Sequence, residues 1–324
     1  MNLRPCIQLL AIACAALAAF AGAAAQASTQ HRLNVTTADG RRDYILSSPD
    51  GASGPLPLVL VLHGHLGTAA NAFGAGAAPS PLSAWLAIAQ RERVLVAALQ
   101  GLKGTDNHTG WHDCRLDAIE DPVTDDVSFA QGVVQSLVQS GRADPHRIYV
   151  MGMSNGGMMA YRLALEMHPT PAAIAAVSST MASKNACGET PPRVSVLLIN
   201  GTADAIVPYG GGKVGFRGHK TGTVIGADAT RDFWLRADHL PAAPTSSYTF
   251  PHRSADDPTT AVRQVYGQPG GLQVETITIQ DGGHVEPSLL YHYGWFYSRL
   301  VGTQNQDLES AEEAWTFFKD KVAR

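Results

Sequence analysis

The sequence predicts an α/β fold, built on a mostly parallel sheet with helices on both faces. Residues 57–62 and 94–99 are continuous apolar runs, which are typical of strands buried on both faces of a parallel sheet. Segments with the helical spacing of apolar residues alternate with such strands. A strand at 148–150 also passes through a tight turn directly into a run rich in Met, Ala and Leu. Together these observations favour a doubly covered sheet.

Periodicity and turn residues assign the elements in chain order. The predicted strands are 33–37, 44–48, 57–62, 94–99, 148–150, 174–177, 194–199 and 273–279. One helix is predicted directly after the tight turn, and the other predicted helices are 81–93, 125–138, 227–237 and 310–322. The first two strands predict an edge hairpin turning at Asp39-Gly40. The last strand alternates polar and apolar residues, as an outer strand does. Residues 101–113, 210–222 and 239–260 read as loops.

Residues 1–27 have the pattern of a secretory signal peptide, which leaves 28–324 as one predicted domain. Arg4 supplies the charged start, an apolar stretch follows, and Ala25-Gln26-Ala27 is a small-x-small cleavage site. Lipidation of Cys14 is an alternative fate for this segment. The apolar stretch is shorter than the ~20 residues that span a bilayer. We therefore expect a secreted protein, extracellular or periplasmic, without membrane insertion.

Charge and cysteine usage narrow the classes of partner. The chain has 24 basic and 28 acidic residues, a formal net charge of −4, which does not favour nucleic-acid binding. Cys6 and Cys14 would leave with the signal peptide, so Cys114 and Cys187 remain as a pair in an oxidising compartment. This predicts a disulfide, with a metal site or a catalytic thiol as the alternatives. We expect a monomer.

The tight turn at 152–156, Gly152-Met153-Ser154-Asn155-Gly156, has the pattern of a nucleophile elbow. A strand that turns at once into a helix leaves little room beside its apex, and the two glycines supply that room. The serine hydroxyl then projects above the carboxyl edge of the sheet, at the N-terminus of the following helix. Ser154 is therefore the candidate nucleophile, against the alternative of a glycine-softened turn with an incidental serine.

Two further residues follow strands in the order that a catalytic triad requires. Asp204 lies in Asn200-Gly201-Thr202-Ala203-Asp204 after one strand, and His284 follows Gln280-Asp281-Gly282-Gly283 after the last. His284 would act as general base, on a loop that two glycines loosen, and Asp204 would hold the imidazole tautomer. The order Ser, Asp, His is that of an α/β-hydrolase. Asp204 alone could equally belong to an ordinary turn.

Three residues are candidates for the surroundings of this triad. The backbone amides of Asn155 and of His65, which follows His63-Gly64, would form an oxyanion hole. Trp111 would stand at the rim of a substrate cleft as an apolar wall. Metal binding is the alternative for His63-x-His65, which has no third ligand at a suitable spacing nearby. It is also the alternative for His108 with His112, whose i, i+4 spacing suits a helix, whereas Gly110 and the polar surroundings favour a loop. We therefore expect no metal and no cofactor.

Five stretches resemble the secreted polyhydroxybutyrate-depolymerase-type esterases, which are related to the feruloyl and acetylxylan esterases of carbohydrate esterase family 1. They are Leu62-His63-Gly64, Trp111 with residues 125–129, residues 152–158, residues 200–209, and Gly282-Gly283-His284. The resemblance implies an α/β-hydrolase fold, the same triad and a Cys114–Cys187 bridge. It also makes Tyr209 a candidate pocket residue beside Trp111.

The resemblance implies a serine esterase that hydrolyses poly- or oligo-3-hydroxybutyrate. After His284, however, the chain continues with Val285-Glu286-Pro287-Ser288 where the family commonly has a Thr-Trp-Pro-Gly type of sequence, and no polymer-binding domain is appended. The alternative substrate class is the feruloyl or acetyl esters of plant cell walls. The alternative from another class is a non-catalytic binding protein with a hydrolase fold.

Overall fold

One ten-stranded β-sheet organises the part of the chain that the computed structural model describes, residues 28–76, 80–188, 192–215 and 221–323. Its strands, together with those of two small hairpins, are β1 (Thr29–Thr37), β2 (Gly40–Ser48), β3 (Leu56–Leu62), β4 (Leu95–Leu99), β5 (Leu102–Lys103), β6 (Thr109–Gly110), β7 (Ala143–Met153), β8 (Ala173–Val177), β9 (Ser195–Gly201), β10 (Gly211–Lys213), β11 (Thr223–Ile225), β12 (Ser246–Thr249), β13 (Thr260–Gly267) and β14 (Gln273–Gln280).

The large sheet has the order β1-β2-β4-β3-β7-β8-β9-β14-β13-β12. Its centre, from β4 to β14, is parallel throughout. Two antiparallel strands are added at each end, β1 and β2 on one side and β13 and β12 on the other. The carboxyl ends of the central strands therefore meet at one edge, where the following loops gather. The predicted edge hairpin and mostly parallel sheet are confirmed.

Helices cover both faces of the sheet, so it has two hydrophobic cores. The helices are α1 (Ala69–Ala72), a 3-10 helix (Pro81–Ala84), α2 (Trp85–Glu92), α3 (Asp126–Gln139), α4 (Asn155–Glu166), α5 (Ala227–Ala237), α6 (Trp295–Val301) and α7 (Ser310–Phe318). Helices α3, α4 and α5 pack on one face through Phe129, Tyr161 and Trp234. Trp85 and Phe318 carry α2 and α7 onto the other.

Strand β3 shows why the central strands are apolar at every position. Leu58, Leu60 and Leu62 point into the first core, whereas Val59 and Val61 point into the second. All five side chains are fully buried. Because burial of one such side chain stabilises the fold by ~2 kcal/mol, a polar residue at any of these positions would be costly.

The prediction that 273–279 is an outer strand is wrong, because β14 lies between β9 and β13. Its polar residues are largely covered by their surroundings, and Thr276 and Thr278 are half-buried. Glu275 is 8% exposed and forms an ion pair with Arg263 on β13, with 2.8 Å between Glu275 Oε2 and Arg263 Nε. The segment 239–260, read as irregular, contains β12, and β13 follows it. A strand inside the sheet can thus show the same alternation as an outer strand when its polar side chains are half-buried or form an ion pair with a neighbouring strand.

Two segments read as loops contain small hairpins. Strand β5 pairs with β6 inside 101–113, and β10 pairs with β11 around the glycine-rich stretch. Residues 216–220 of that stretch lie outside the described residues. Strands of two or three residues are too short to show a periodic pattern of apolar residues, and glycine adds no apolar side chain to such a pattern.

The predicted signal peptide, residues 1–27, and Cys14 within it lie outside the described residues. Among the residues that are described, no helix is both long enough and apolar enough to cross a membrane.

A disulfide joins Cys114 to Cys187, as the sequence predicts. It connects the loop after β6 with the loop after β8, and the backbone amide of Ala186 donates to the carbonyl of Cys114 at 2.8 Å beside it. The alternatives of a cysteine metal site and a catalytic thiol are therefore wrong. The bridge encloses a sequence separation of 73 residues.

We expect the double substitution Cys114→Ser and Cys187→Ser to lower the free energy of unfolding by about 4 kcal/mol, since the unfolded chain regains the entropy of a long loop. Urea denaturation of the oxidised protein and of the variant measures this difference. The reduced wild-type protein is the control and should match the variant. Equal unfolding midpoints for oxidised protein and variant would contradict the expectation.

Candidate active site

The side chains of Ser154, His284 and Asp204 form one hydrogen-bonded chain at the carboxyl edge of the sheet. Ser154 Oγ lies 2.8 Å from His284 Nε2, and His284 Nδ1 lies 2.7 Å from Asp204 Oδ2. Ser154 follows β7, Asp204 follows β9 and His284 follows β14. Ser154 is half-buried, whereas the side chains of Asp204 and His284 are 2% and 7% exposed. The structure thus brings together the three residues that the sequence selected from distant strands.

The backbone of Ser154 is held in a conformation that L-residues rarely adopt, with φ 55° and ψ −124°. A methyl group added at Gly152 would meet the carbonyl of Gly156, and one added at Gly156 would meet the carbonyls at the end of β3. Glycine at both positions therefore allows the strand, the turn and α4 to pack together. The backbone strain at Ser154, of order 1–3 kcal/mol, is typical of a functional site.

Asp204 is held by its own loop. One of its carboxylate oxygens, Oδ1, accepts from the backbone amides of Ile206 and Val207, both at 2.8 Å, while Oδ2 accepts from His284. If Oδ2 accepts, His284 carries its proton on Nδ1, and Nε2 has a free lone pair toward Ser154. This is the tautomer that a general base requires.

The prediction that two glycines loosen the histidine loop is wrong. Methyl groups at Gly282 and Gly283 would meet Ile279 and the backbone of Gly302, so these glycines serve close packing. The amide of His284 donates to the carbonyl of Val301, at the end of α6, at 2.6 Å. The imidazole is therefore fixed in place rather than free to swing.

The two amides predicted for the oxyanion hole lie on different elements, that of His65 in the loop after β3 and that of Asn155 at the start of α4. Because Asn155 begins α4, its N–H has no acceptor within the helix. Neither this amide nor that of His65 donates to any other backbone group that the structure describes. A methyl group at Gly110 would be 3.2 Å from the ring of His65 and 3.1 Å from the side chain of Asn155, so both side chains lie beside Gly110.

Trp111 is not a wall of the substrate cleft, which corrects the prediction. Its side chain is 1% exposed and belongs to the core under α3 and α4. The indole Nε1 donates to the carbonyl of His63 at 2.8 Å, and the backbone amide donates to Asn155 Oδ1 at 2.7 Å. An apolar residue in a polar loop indicates an anchor of that loop as readily as a pocket wall.

Tyr209, the other predicted pocket residue, is half-buried in the loop after β9. It lines a small surface depression with Asn200, Arg231 and Thr278. No triad residue lines that depression, so the structure does not bring Tyr209 to the triad there.

The histidines near the site are engaged in separate contacts. His63 Nδ1 lies 2.8 Å from the carbonyl of Gly64, and His63 Nε2 accepts from the amide of Gly101 at 3.0 Å. His65 Nε2 contacts Asp106 at 2.8 Å, and His112 Nδ1 contacts the carbonyl of Thr124 at 3.0 Å. Within the described ranges, no group of three or more His, Cys, Asp or Glu side chains is placed to hold a metal ion.

Sequence reasoning missed a buried ionic cluster behind Asn155. Its amide Nδ2 donates to Asp113 Oδ2 at 2.9 Å, and Arg115 Nη2 donates to Asp113 and to Asp121, both at 2.7 Å. All three charged residues are 5% exposed or less. Charged residues in a predicted polar loop are ordinarily expected to be exposed to solvent. The only sequence signal for their burial is the neighbouring Cys114.

Sequence reasoning also missed Glu286, which is 3% exposed and close to His284. It accepts from Ser80 at 3.3 Å and lies 3.4 Å from the hydroxyl of Tyr293. The pKa of the Glu286 carboxyl is raised, because the effect of burial outweighs the opposing effect of the nearby His284. The residue ties the histidine loop to the aromatic segment that follows it.

Nine exposed large hydrophobic residues lie in three segments of the chain, after β3, after β6 and after β14. They are Leu66, Leu116, Ile119, Val123, Leu289, Leu290, Trp295, Phe296 and Tyr297. Among the described residues, only Tyr248 and Val322 are exposed large hydrophobics elsewhere. Trp295 and Phe296 are 72% and 71% exposed. Five of the nine lie within residues 289–297, and exposed apolar residues grouped in this way are typical of an interaction site.

The parallel sheet, the elbow and the Ser-His-Asp chain order define the α/β-hydrolase class. The family model described as "Phospholipase/Carboxylesterase" matches residues 107–221. The chain is 30% identical over 306 residues to "Putative esterase NocK" of Nocardia uniformis subsp. tsuyamanensis, covering 90% of this chain and 83% of that protein. The chain therefore belongs to this phospholipase/carboxylesterase family and is a serine esterase-type hydrolase.

Further similarities are more distant. The chain is 26% identical over 254 residues to "Feruloyl esterase B" of Piromyces equi, covering 76% of this chain and 43% of that protein. The solved structure of an acetyl xylan esterase from Aspergillus awamori superimposes with a TM-score of 0.55 at 13% identity, over 84% of this chain and 98% of that one. A dienelactone hydrolase-like phosphotriesterase, P91, from metagenomic libraries also gives 0.55, at 14% identity, over 91% and 99%. Both structures support the fold, and the predicted α/β-hydrolase fold is confirmed.

The buried imidazole of His63 predicts a loss of stability in acid. Burial lowers its pKa from 6.5 to about 4, so the unfolded chain binds a proton between these values that the folded chain does not. The contribution of His63 to the free energy of unfolding is fully present above pH 6.5. It is lost as the pH falls toward 4, by about 3 kcal/mol in total. Burial raises the pKa of Asp121 instead, which acts in the opposite direction.

The comparison must therefore be with His63→Gln, which retains Asp121. We expect the stability advantage of wild type over this variant to shrink between pH 6.5 and 4, as measured by urea denaturation at each pH. A difference that is constant over this range would contradict a neutral, buried His63.

Proposed function

We propose that this protein is a secreted, monomeric serine esterase that hydrolyses poly- or oligo-3-hydroxybutyrate. The observation that carries the esterase proposal is the continuous hydrogen-bonded chain from Ser154 Oγ through His284 to Asp204. Membership in a carboxylesterase-type family supports it. The proposed catalytic residues are these three, with the amides of His65 and Asn155 as oxyanion donors.

In the proposed first step, Ser154 Oγ attacks the carbonyl carbon of the ester. Its proton passes to His284 Nε2, 2.8 Å away, and the carbonyl electron pair moves onto oxygen. Asp204 stabilises the imidazolium that forms. The amides of His65 and Asn155, with the N-terminus of α4 behind them, stabilise the negative oxygen. Collapse of this intermediate returns the proton to the leaving alcohol and leaves an acyl-enzyme.

In the second step, water attacks the acyl-enzyme. His284 takes a proton from the water and later returns it to Ser154 Oγ, so the enzyme is restored and the acid is released. The triad remains the same in both steps because His284 faces the same oxygen throughout. This chemistry requires no cofactor.

Two observations support an aliphatic polyester as the substrate. The five motifs between residues 62 and 284 resemble those of polyhydroxybutyrate-depolymerase-type esterases. The exposed apolar residues of segment 289–297 follow the loop that carries His284, and a water-insoluble ester would contact such a surface. A soluble, polar substrate would not benefit from Trp295 and Phe296 in solvent.

The second candidate is a feruloyl esterase, which the 26% identity to "Feruloyl esterase B" favours. The two candidates differ in the acyl group that the site must accommodate, a short aliphatic chain or a planar phenyl ring. The aromatic segment 289–297 could contact either group.

The substitution Ser154→Ala is expected to lower kcat by several orders of magnitude, because no other group replaces the attacking oxygen. The assay is release of acid from a hydroxybutyrate dimer, and circular dichroism with urea unfolding checks the fold. Asp204→Asn should also lower kcat, since it favours the wrong imidazole tautomer. If Ser154→Ala retained activity within about tenfold of wild type, the triad assignment would be wrong.

Substrate preference is tested with residues 28–324, given hydroxybutyrate oligomers and methyl ferulate side by side. We expect kcat/KM for the oligomers to exceed that for the ferulate by at least about tenfold, which corresponds to 1.4 kcal/mol of transition-state binding. Ser154→Ala controls for background hydrolysis. The reverse preference would assign the enzyme to cell-wall esters, and hydrolysis of neither would favour a non-catalytic binding protein.

A further inference from the structure

The side chain of Asn155 is held on three sides, although the proposed mechanism uses only its backbone amide. Its Oδ1 accepts from the amide of Trp111 at 2.7 Å, and its Nδ2 donates to the carbonyl of Trp111 at 3.1 Å. The same Nδ2 donates to Asp113 Oδ2 at 2.9 Å. Asn155 is 4% exposed. This side chain therefore fixes the first residue of α4, and with it the direction of the N–H group.

Trp111 also reaches the other half of the proposed oxyanion hole. Its indole Nε1 donates to the carbonyl of His63 at 2.8 Å, two residues before His65. The rings of His63 and Trp111 are 4.9 Å apart. One residue thus contacts Asn155 through its backbone and the His63 loop through its side chain.

Asp113 is itself held by buried groups. Arg115 Nε lies 3.0 Å from both of its carboxylate oxygens, and Arg115 Nη2 also contacts Asp121. The disulfide-bonded Cys114 lies between Asp113 and Arg115 in the chain. A polar network of this kind is rigid when every group has a partner. Removal of one partner leaves a buried charge unpaired in an apolar environment, which is costly.

We propose that Trp111 and Asp113 are positioning residues that hold the two oxyanion donors, the amides of His65 and Asn155, at a fixed separation. The inference rests on the proposed esterase function. Oxyanion donors act only when they are aimed at the position that the negative oxygen will occupy, and a small displacement weakens them. Among the described residues, neither Trp111 nor Asp113 forms a hydrogen bond with Ser154, and they act through Asn155 and the His63 loop.

The test compares Trp111→Phe, which retains an aromatic ring but loses the indole N–H, with Trp234→Phe. Trp234 is 0% exposed, and its indole nitrogen has no hydrogen-bond partner among the described residues. Both variants remove the same atoms from the core under α4, so lost packing affects them alike. A third variant, Asp113→Asn, keeps the shape but presents an amide where two donors point.

We expect Trp111→Phe and Asp113→Asn each to lower kcat by about tenfold with KM within about twofold, because the donors act in the transition state. Affinity for a trifluoromethyl ketone, whose adduct with Ser154 Oγ carries an oxyanion, should fall in parallel with kcat. Affinity for the product acid should not change. The double variant should lose less than the product of the single losses, since both act through Asn155. Trp234→Phe should keep the wild-type kcat.

Active-site titration with a fluorophosphonate corrects each kcat for the fraction of folded enzyme. Wild-type kcat and ketone affinity in Trp111→Phe would overturn the inference, as would an equal loss of kcat in Trp234→Phe. Either result leaves the esterase proposal intact as long as Ser154→Ala abolishes hydrolysis. Full activity of Ser154→Ala would instead overturn the esterase proposal itself.

Discussion

The close backbone contact between the elbow and the end of β3 is the constraint on which the rest of the site depends. Gly152 and Gly156 allow α4 to begin directly at the sheet, against the carbonyls of Leu62 and His63. This contact places Ser154 with φ 55° above the carboxyl edge. It also places the loop after β3 beside the first amide of α4. The positions of Ser154 and of the two proposed oxyanion amides are therefore consequences of one packing arrangement.

The sequence predicts the parallel sheet, and it selects the three residues that the structure joins by hydrogen bonds, because the sheet and the turn at Ser154 have local signals. Apolar runs such as 57–62 require burial on both faces, and glycines flank Ser154 where no side chain fits. Where two causes give the same pattern, prediction fails. The alternation of β14 predicts an outer strand, yet β13 and β9 pair with it on both sides. Gly282-Gly283 predicts a flexible loop, yet both glycines serve close packing, Gly282 against Ile279 and Gly283 against Gly302.

The surroundings of Asn155 could not be predicted, because burial of charge leaves no periodic signal. Asp113, Arg115 and Asp121 stand in a loop whose composition resembles a solvated one, and each is buried only because the others neutralise it. Trp111 is misassigned for the same reason, since its depth depends on where the loop docks. Local sequence specifies which residues carry chemistry, whereas the packing of loops on one another decides which residues hold them.

The two sides of the site differ in how firmly they are held. On the oxyanion side, the Trp111–Asp121 loop is tied by buried ion pairs and by the disulfide to Cys187. On the histidine side, His284 is fixed through the carbonyl of Val301, but the aromatic residues at the start of α6 project into solvent. A change at Trp295 or Phe296 alters a contact surface without disturbing the triad. The exposed aromatic residues thus stand apart from the buried groups that hold the triad, and under the proposed function segment 289–297 is a surface at which selection among ester substrates can vary.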